Sequence, residues 1–260
     1  MTSTEGYADK IDKLLRKAES TTPAEAEALR DKAYALMTKY AIDQAEIDAR
    51  RAASGGARIV EKIVERSVDI TGIFRFGLLE VVHNVTMAFE SVNAYMIKDF
   101  RVKVEKADGN FRWASAVRYY IVGFESDVKQ ILLMVTSLQL QAAAEMVHWW
   151  NADPAHKTWE RGFSFRSKRQ FIISFGKGAG QKIRLSARRA RAGASSGAEL
   201  VLYDKRQEVD QYMSNMSLKA SKSRLQNGSM DASRSGYDAG QRANTGDTGL
   251  GGDRKKRIDS

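Results

Sequence analysis

Residues 165–191 read FRSKRQFIISFGKGAGQKIRLSARRAR and predict a long amphipathic helix. Apolar residues recur in this stretch at intervals of three and four, which is the spacing of one helical face; they are Ile172, Phe175, Ala179 and Ile183. Basic residues recur at intervals of seven, four and three on another face; they are Lys177, Arg184, Arg188 and Arg191, and we name them the cationic ridge. One side of the helix is therefore expected to be buried and another to carry positive charge.

The positive charge of the 260-residue chain is concentrated around this helix. Residues 157–191 contain eleven basic residues and one acid, Glu160, so they carry the same net charge, +10, as the whole chain. Clustered positive charge is typical of proteins that bind the phosphates of nucleic acids, although many charged helix faces are merely solvated. The candidate nucleic-acid-binding residues are Arg169, Lys177, Lys182, Arg184, Arg188, Arg189 and Arg191.

The same stretch contains the glycine-rich segment Gly176-Lys177-Gly178-Ala179-Gly180. It lacks the spacing between glycines and the Lys-Ser/Thr ending of a P-loop, and it lacks the spacing of a dinucleotide-binding fingerprint. Each glycine inside a helix costs about 1 kcal/mol relative to alanine, so a packing reason is expected. We predict that these glycines let a neighbouring helix cross closely.

The whole chain is expected to have an α+β fold: an N-terminal helical hairpin, a mixed domain of helices and an antiparallel sheet, and a flexible C-terminal tail. The expected ranges are residues 1–51 for the hairpin unit, 52–57 for a linker, 58–216 for the α+β domain with its basic helix at 165–191, and 217–260 for a mostly flexible basic tail with a short helix near 232–244. The linker contains Gly55-Gly56, and the tail is rich in Ser, Gly, Asn and Asp, which favours mobility.

Hydrophobic periodicity predicts the elements of the α+β domain. Helices are expected over 73–89 and 127–150, and strands over 92–97, 100–105, 116–122 and 200–203. The dipeptide Asp108-Gly109 predicts a hairpin turn. The second helix would face inward with Val128, Ile131, Leu132, Val135, Leu138, Ala142 and Trp149. The trio Trp149, Trp150 and Trp159 is expected to pack the basic helix onto it.

The N-terminal segment resembles a known family. Residues 10–21 (KIDKLLRKAEST), 25–29 (EAEAL) and 33–42 (AYALMTKYAI) are similar to the N-terminal hairpin of the family catalogued as domain of unknown function 2786. Three later segments resemble the region that usually follows this hairpin: 122–128 (VGFESDV), 136–138 (TSL) and 235–243 (SGYDAGQRA). The resemblance implies a protein of phages or their bacterial hosts, and it brings no catalytic residues.

Residue patterns for catalysis or for a cofactor are missing from the sequence. The absence of cysteine excludes thiolate metal sites and cysteine nucleophiles. The three histidines, His83, His148 and His156, do not have the spacing of zinc ligands. The carboxylates Glu80, Glu90, Glu125 and Asp127 could gather around Mg²⁺, but the last two lie where a helix begins, a position that favours acids in any case. No cofactor or metal is therefore predicted.

Four aromatic residues lie on or beside the predicted hairpin: Phe111, Trp113, Tyr119 and Tyr120. One face of a strand could present some of them to bases, although aromatic residues in strands more often belong to the core. Tyr119 and Tyr120 must point to opposite faces of the sheet.

These observations predict a non-catalytic nucleic-acid-binding accessory protein of phage or bacterial origin. Its basic helix is expected to bind phosphates, with DNA as the first candidate ligand. The alternatives are a protein-interaction module that engages a host or defence protein through the N-terminal hairpin, and a metal-dependent nuclease-like enzyme. The N-terminus has no signal-peptide pattern and no apolar stretch predicts a membrane span, so we expect the protein in the cytoplasm of the bacterial host cell.

Overall fold

The computed structural model describes residues 61–106, 108–191, 196–219, 228–243 and 245, together with Lys13, Leu14, Lys17 and Leu29. The chain divides into two compact units, and the described residues from 61 to 243 belong to the unit that spans Ala41–Ala243. Apart from the four N-terminal positions just named, the predicted hairpin at 1–51 lies outside the described residues, as does the predicted linker at 52–57.

Three antiparallel strands form one sheet in the order β1-β3-β2. They are β1 (Ile63–Thr71), β2 (Val92–Glu105) and β3 (Phe111–Phe124). Gly109 has a φ of 77° in the turn between β2 and β3, where the sequence predicts a hairpin. The strands predicted at 92–97 and 100–105 are a single strand, because an irregularity between Ile97 and Phe100 shifts the register without ending the pairing.

Five helices accompany the sheet among the residues from 61 to 243 that the structure describes. They are α1 (Arg75–Thr86), α2 (Glu125–Ala152), α3 (Arg161–Arg191), α4 (Ser196–Ser214) and α5 (Met230–Arg242), with a short 3-10 helix at Pro154–Thr158. The combination of helices with an antiparallel sheet confirms the predicted α+β class. The short helix expected near 232–244 is present as α5; the rest of the predicted tail lies largely outside the described residues.

The strand predicted at 200–203 is wrong, because these residues belong to α4. The run Leu-Val-Leu-Tyr has high strand propensity, but a short apolar run cannot distinguish a strand from a buried helix. Val201, Lys205 and Val209 are buried at intervals of four, and this helical period places one side of α4 against the sheet.

Both faces of the second half of β3 are covered, which explains the near-continuous burial of that half. Tyr119 and Ile121 lie on the face covered by α1 and α2. Val122 and Phe124 lie in a core cluster with residues of α4.

Helix α2 packs as its periodicity predicts. All the residues expected to face inward are buried except Leu132, which is half-buried, and Met134 and Met146 join them. By length and composition α2 could also cross a membrane, a test that core helices of soluble proteins pass as well.

Candidate nucleic-acid interface

The basic helix α3 lies between α1 and α5, and glycines set both crossings. A Cβ atom on Gly176 would lie 2.7 Å from Cα of Val81, and one on Gly180 would lie 2.5 Å from the carbonyl oxygen of Asn84. Both neighbours belong to α1. Real Cβ atoms do not approach other atoms so closely, so these positions require glycine. The prediction that the glycine-rich segment allows close helix packing is confirmed.

The crossing of α3 with α5 uses glycines from both helices. A Cβ on Gly178 would overlap the carbonyl oxygen of Tyr237, and a Cβ on Gly236 would overlap that of Phe171. Two hydrogen bonds add to this contact. Gln241 Nε2 donates to the Gly178 carbonyl at 3.0 Å, and the hydroxyl of Ser174 on α3 bonds to that of Ser233 on α5. Helix α5 therefore holds α3 through backbone contact, which leaves little freedom for sliding.

The apolar side of α3 is buried as predicted. The four predicted residues are at most 6% exposed: Ile172, Phe175, Ala179 and Ile183. Phe171 joins them and stacks on Trp149 of α2 with ring centroids 5.2 Å apart. The orientation of α3 about its own axis is thereby fixed.

The opposite side of α3 carries the cationic ridge. Lys177 and Arg188 are exposed and Arg184 is half-buried, whereas the side chain of Arg191 lies outside the described residues. The helix has ten basic residues and no acidic residue along its whole length. Arg189 is exposed as well, but it lies about 120° around the helix from Lys177, since each residue turns the helix by about 100°.

Two of the predicted contact residues have partners within the fold. Lys182 Nζ donates a hydrogen bond to the carbonyl oxygen of Ala243 at 2.7 Å, where α5 ends and a positive charge is favoured. The guanidinium of Arg169 lies 5.8 Å from the ring centroid of Phe165. Burial lowers the pKa of Arg169, and the nearby Arg166 lowers it further. Lys182 thus links α3 to the end of α5, whereas the contact of Arg169 with Phe165 lies within α3 itself.

A cluster of tryptophans joins α2 to the start of α3. Trp149, Trp150 and Trp159 surround the buried imidazole of His156, with ring centroids 4.3, 5.4 and 4.6 Å away. Lys168 Nζ lies 3.7 Å from the ring centroid of Trp150. The three tryptophans therefore pack the basic helix onto α2, as the sequence predicts.

The acidic candidates lie in different surroundings. Glu125 is half-buried at the start of α2 and pairs with Lys129 at 2.9 Å. Desolvation raises the pKa of the nearby Asp127, whereas the charge of Lys205 acts in the opposite direction. No group of three histidine, aspartate or glutamate side chains that could hold a metal ion is found in the part of the chain that the structure describes.

The four aromatic candidates divide into two pairs. Tyr119 is buried, and its hydroxyl lies 3.0 Å from Nδ1 of His83. Tyr120 stacks on Tyr95 with ring centroids 4.6 Å apart. Phe111 and Trp113, by contrast, are 55% and 63% exposed near the turn of the hairpin.

Sequence reasoning missed the role of α5 in building this site. The available signal was the pair Gly236 and Gly240, one helical turn apart in a segment whose other residues are mostly polar. Small residues at that spacing mark a helix side that another backbone can approach. The sequence does not say which helix does so.

Comparison with known proteins bears on the N-terminal segment. No curated protein and no solved structure matches the chain. The companion region and the phage or bacterial origin implied by the resemblance stay predictions. The resemblance of the N-terminal segment itself is confirmed, because residues 6–44 match the family described as Protein of unknown function (DUF2786).

Proposed function

We propose that this protein is a non-catalytic nucleic-acid-binding accessory protein of phage or bacterial origin in the cytoplasm. It binds the phosphate backbone along α3, with DNA as the first candidate ligand. The observation that carries the proposal is the cationic ridge, a line of basic residues on the solvent side of a helix that has no acid of its own. The helix is held on both flanks by glycine crossings. A rigid support favours affinity, because the backbone does not have to lose conformational entropy when a ligand binds.

The length of the ridge suits a stretch of nucleic-acid backbone. Lys177 and Arg188 are eleven residues apart, which is about 16 Å along a helix. One DNA strand carries a phosphate every 3.4 Å or so along the axis, so the ridge can follow about five phosphates. Such contacts displace condensed counterions, and binding should therefore weaken steeply with salt.

The direct test replaces Lys177, Arg184 and Arg188 with glutamine. The fold should survive, because solvent-side substitutions usually change the free energy of unfolding by no more than about 0.5 kcal/mol each. Duplex DNA affinity should fall, and the slope of log K against log salt should lose about 0.9 for each phosphate contact removed, or about 2.7 for three. Fluorescence anisotropy over a salt series measures both quantities.

A matched control separates the ridge from general charge. Lys129, Arg206 and Lys219 are exposed basic residues outside α3, and their glutamine variant has the same net charge as the ridge variant. It should keep the wild-type salt slope. If the ridge variant also binds DNA with wild-type affinity and slope, the ridge is a solvated face, and the protein-interaction alternative takes first place.

A further inference from the structure

The hairpin of β2 and β3 extends beyond the rest of the sheet. The pairing of β1 with β3 ends at Thr71 and Ala116. Past that point, within the part of the chain that the structure describes, residues 101–105 and 111–115 pair only with each other, from Arg101 opposite Ser115 to Glu105 opposite Phe111. These five pairs form a two-stranded ribbon about 17 Å long, which we name the β-ribbon.

One face of the β-ribbon combines the exposed rings of Phe111 and Trp113 with two basic side chains, Arg101 and Lys103, and one acid, Glu105, which lies opposite Phe111. Paired residues share a face, and so do alternate residues of one strand. Trp113 lies opposite Lys103, and Phe111 is the next residue of β3 on that side. Lys103 Nζ lies 4.4 Å from the ring centroid of Phe111, and Arg101 is exposed one position further along the same face.

The opposite face is different in character. Ala114 is buried there, and Val102 and Val104 are half-buried. The exposure of Trp113 and Phe111 is thus a property of one face and not of the whole hairpin. Large aromatic rings left in water on one face of an element are typical of a binding surface.

Charge and shape together identify the ligand that fits. The segment 98–112 has five basic residues (Lys98, Arg101, Lys103, Lys106 and Arg112) and three acids (Asp99, Glu105 and Asp108), so its net charge is positive. Flat rings beside cations suit a polyanion that has free π-faces, which describes single-stranded nucleic acid. In a duplex the faces of the bases are already stacked on one another.

We propose that Trp113 and Phe111 stack on unpaired bases while Lys103 and Arg101 contact the adjoining phosphates. The β-ribbon would then add a preference for single strands to the duplex binding of the cationic ridge, and in this sense the inference rests on the proposed function. A stacked base can contribute a tenfold or larger factor to affinity, and the contribution depends little on sequence.

The experiment compares Trp113→Ala and Trp113→Phe by anisotropy with three labelled probes: a 20-nucleotide single strand, the same strand carrying abasic sites, and a 20-base-pair duplex. Trp113→Ala should lose about tenfold in affinity for the intact single strand, and Trp113→Phe should retain most of it. Affinities for the abasic strand and for the duplex should change less than twofold. Tyr203→Ala, which removes an aromatic ring that is 60% exposed on α4, should change none of the three.

The outcomes separate this inference from the proposed function. The stacking site is refuted if Trp113→Ala binds the intact single strand with wild-type affinity, or if it loses as much affinity for the abasic strand as for the intact one. Neither result would refute ridge-dependent binding of the duplex. A wild-type protein that binds the duplex and no single strand refutes the inference as well. If binding of the single strand depends on Trp113 while the ridge variant keeps its duplex affinity and salt slope, the stacking site on the β-ribbon is supported and the cationic ridge is refuted as a binding site.

Discussion

Replacing Gly240 with alanine is expected to loosen α5 from α3 and to lower the free energy of unfolding by about 2 kcal/mol. A Cβ at this position would overlap the carbonyl oxygen of Phe175 and would lie 2.9 Å from the backbone nitrogen of Ala179. These are backbone atoms of a helix, so they cannot turn aside as the end of a flexible side chain can.

Two opposing effects decide whether this substitution raises or lowers the free energy of unfolding. Alanine is the better helix former and would stabilise an isolated helix by about 0.5–1 kcal/mol relative to glycine. Forcing an extra carbon into a close-packed contact costs about 1–3 kcal/mol, and more when the neighbours cannot move. The contact between two backbones at Gly240 belongs to the costly end of that range, so the loss should exceed the gain.

Gly162→Ala is the matched control for Gly240→Ala. Gly162 is also helical, but its Cβ would meet the carboxylate oxygens of Glu160 and the Nη1 atom of Arg166, which are the ends of flexible side chains. This variant should be as stable as wild type or more stable by up to about 1 kcal/mol. Urea unfolding followed by circular dichroism measures both changes. Equal stability of the two alanine variants would mean that α5 does not pack on α3 through Gly240.

The sequence predicts the long helices well and their partners poorly. Periodicity alone identifies the buried side of α3, because Ile172, Phe175 and Ile183 repeat with the helical period whatever they contact. The glycines between them predict a close crossing. The sequence alone does not predict which helix crosses α3, since Gly178 and Gly240 are separated by sixty-one residues that give no information about their distance in space.

The candidate site shows the same limit. The sequence places the cationic ridge on one side of α3, and the structure shows Lys177 and Arg188 exposed there. It cannot show that Lys182 bonds to the end of α5. The exposure of Trp113 is likewise invisible in the alternation of β3, because it depends on which face of the β-ribbon the rest of the fold covers: Ala114, on the other face, is buried.

Replacing Lys205 with methionine is expected to produce the second large effect, a loss of about 2–3 kcal/mol in the free energy of unfolding at pH 7.5. Lys205 is 8% exposed in α4, and its Nζ lies 3.6 Å from Oε2 of Glu61 and 4.8 Å from the ring centroid of Phe124. Its charge also acts on Asp127. Methionine keeps most of the apolar stem but leaves two neighbouring carboxylates without their cation.

Arg206→Met is the control, since it removes the next positive charge along α4. Arg206 is largely exposed and pairs with Asp210 at 3.8 Å, one turn further along the helix. Pairs of this kind contribute little to stability, so the change should stay within about 0.5 kcal/mol. A double variant of Lys205→Met with Asp127→Asn should recover part of the stability that the single variant loses, because it removes one of the uncompensated charges.

The loss in Lys205→Met should also depend on pH, in a direction that Asp127 determines. Desolvation already raises the pKa of Asp127, and without the opposing charge of Lys205 that pKa should rise further. A carboxyl whose pKa is raised on folding binds its proton more tightly in the native state than in the unfolded state. Its contribution to stability is therefore complete below the unfolded pKa and is lost as pH rises through the folded pKa. The deficit of Lys205→Met relative to wild type should accordingly shrink between pH 7.5 and pH 5 in urea unfolding, whereas a deficit of equal size at both pH values would show that Lys205 stabilises the fold through packing alone.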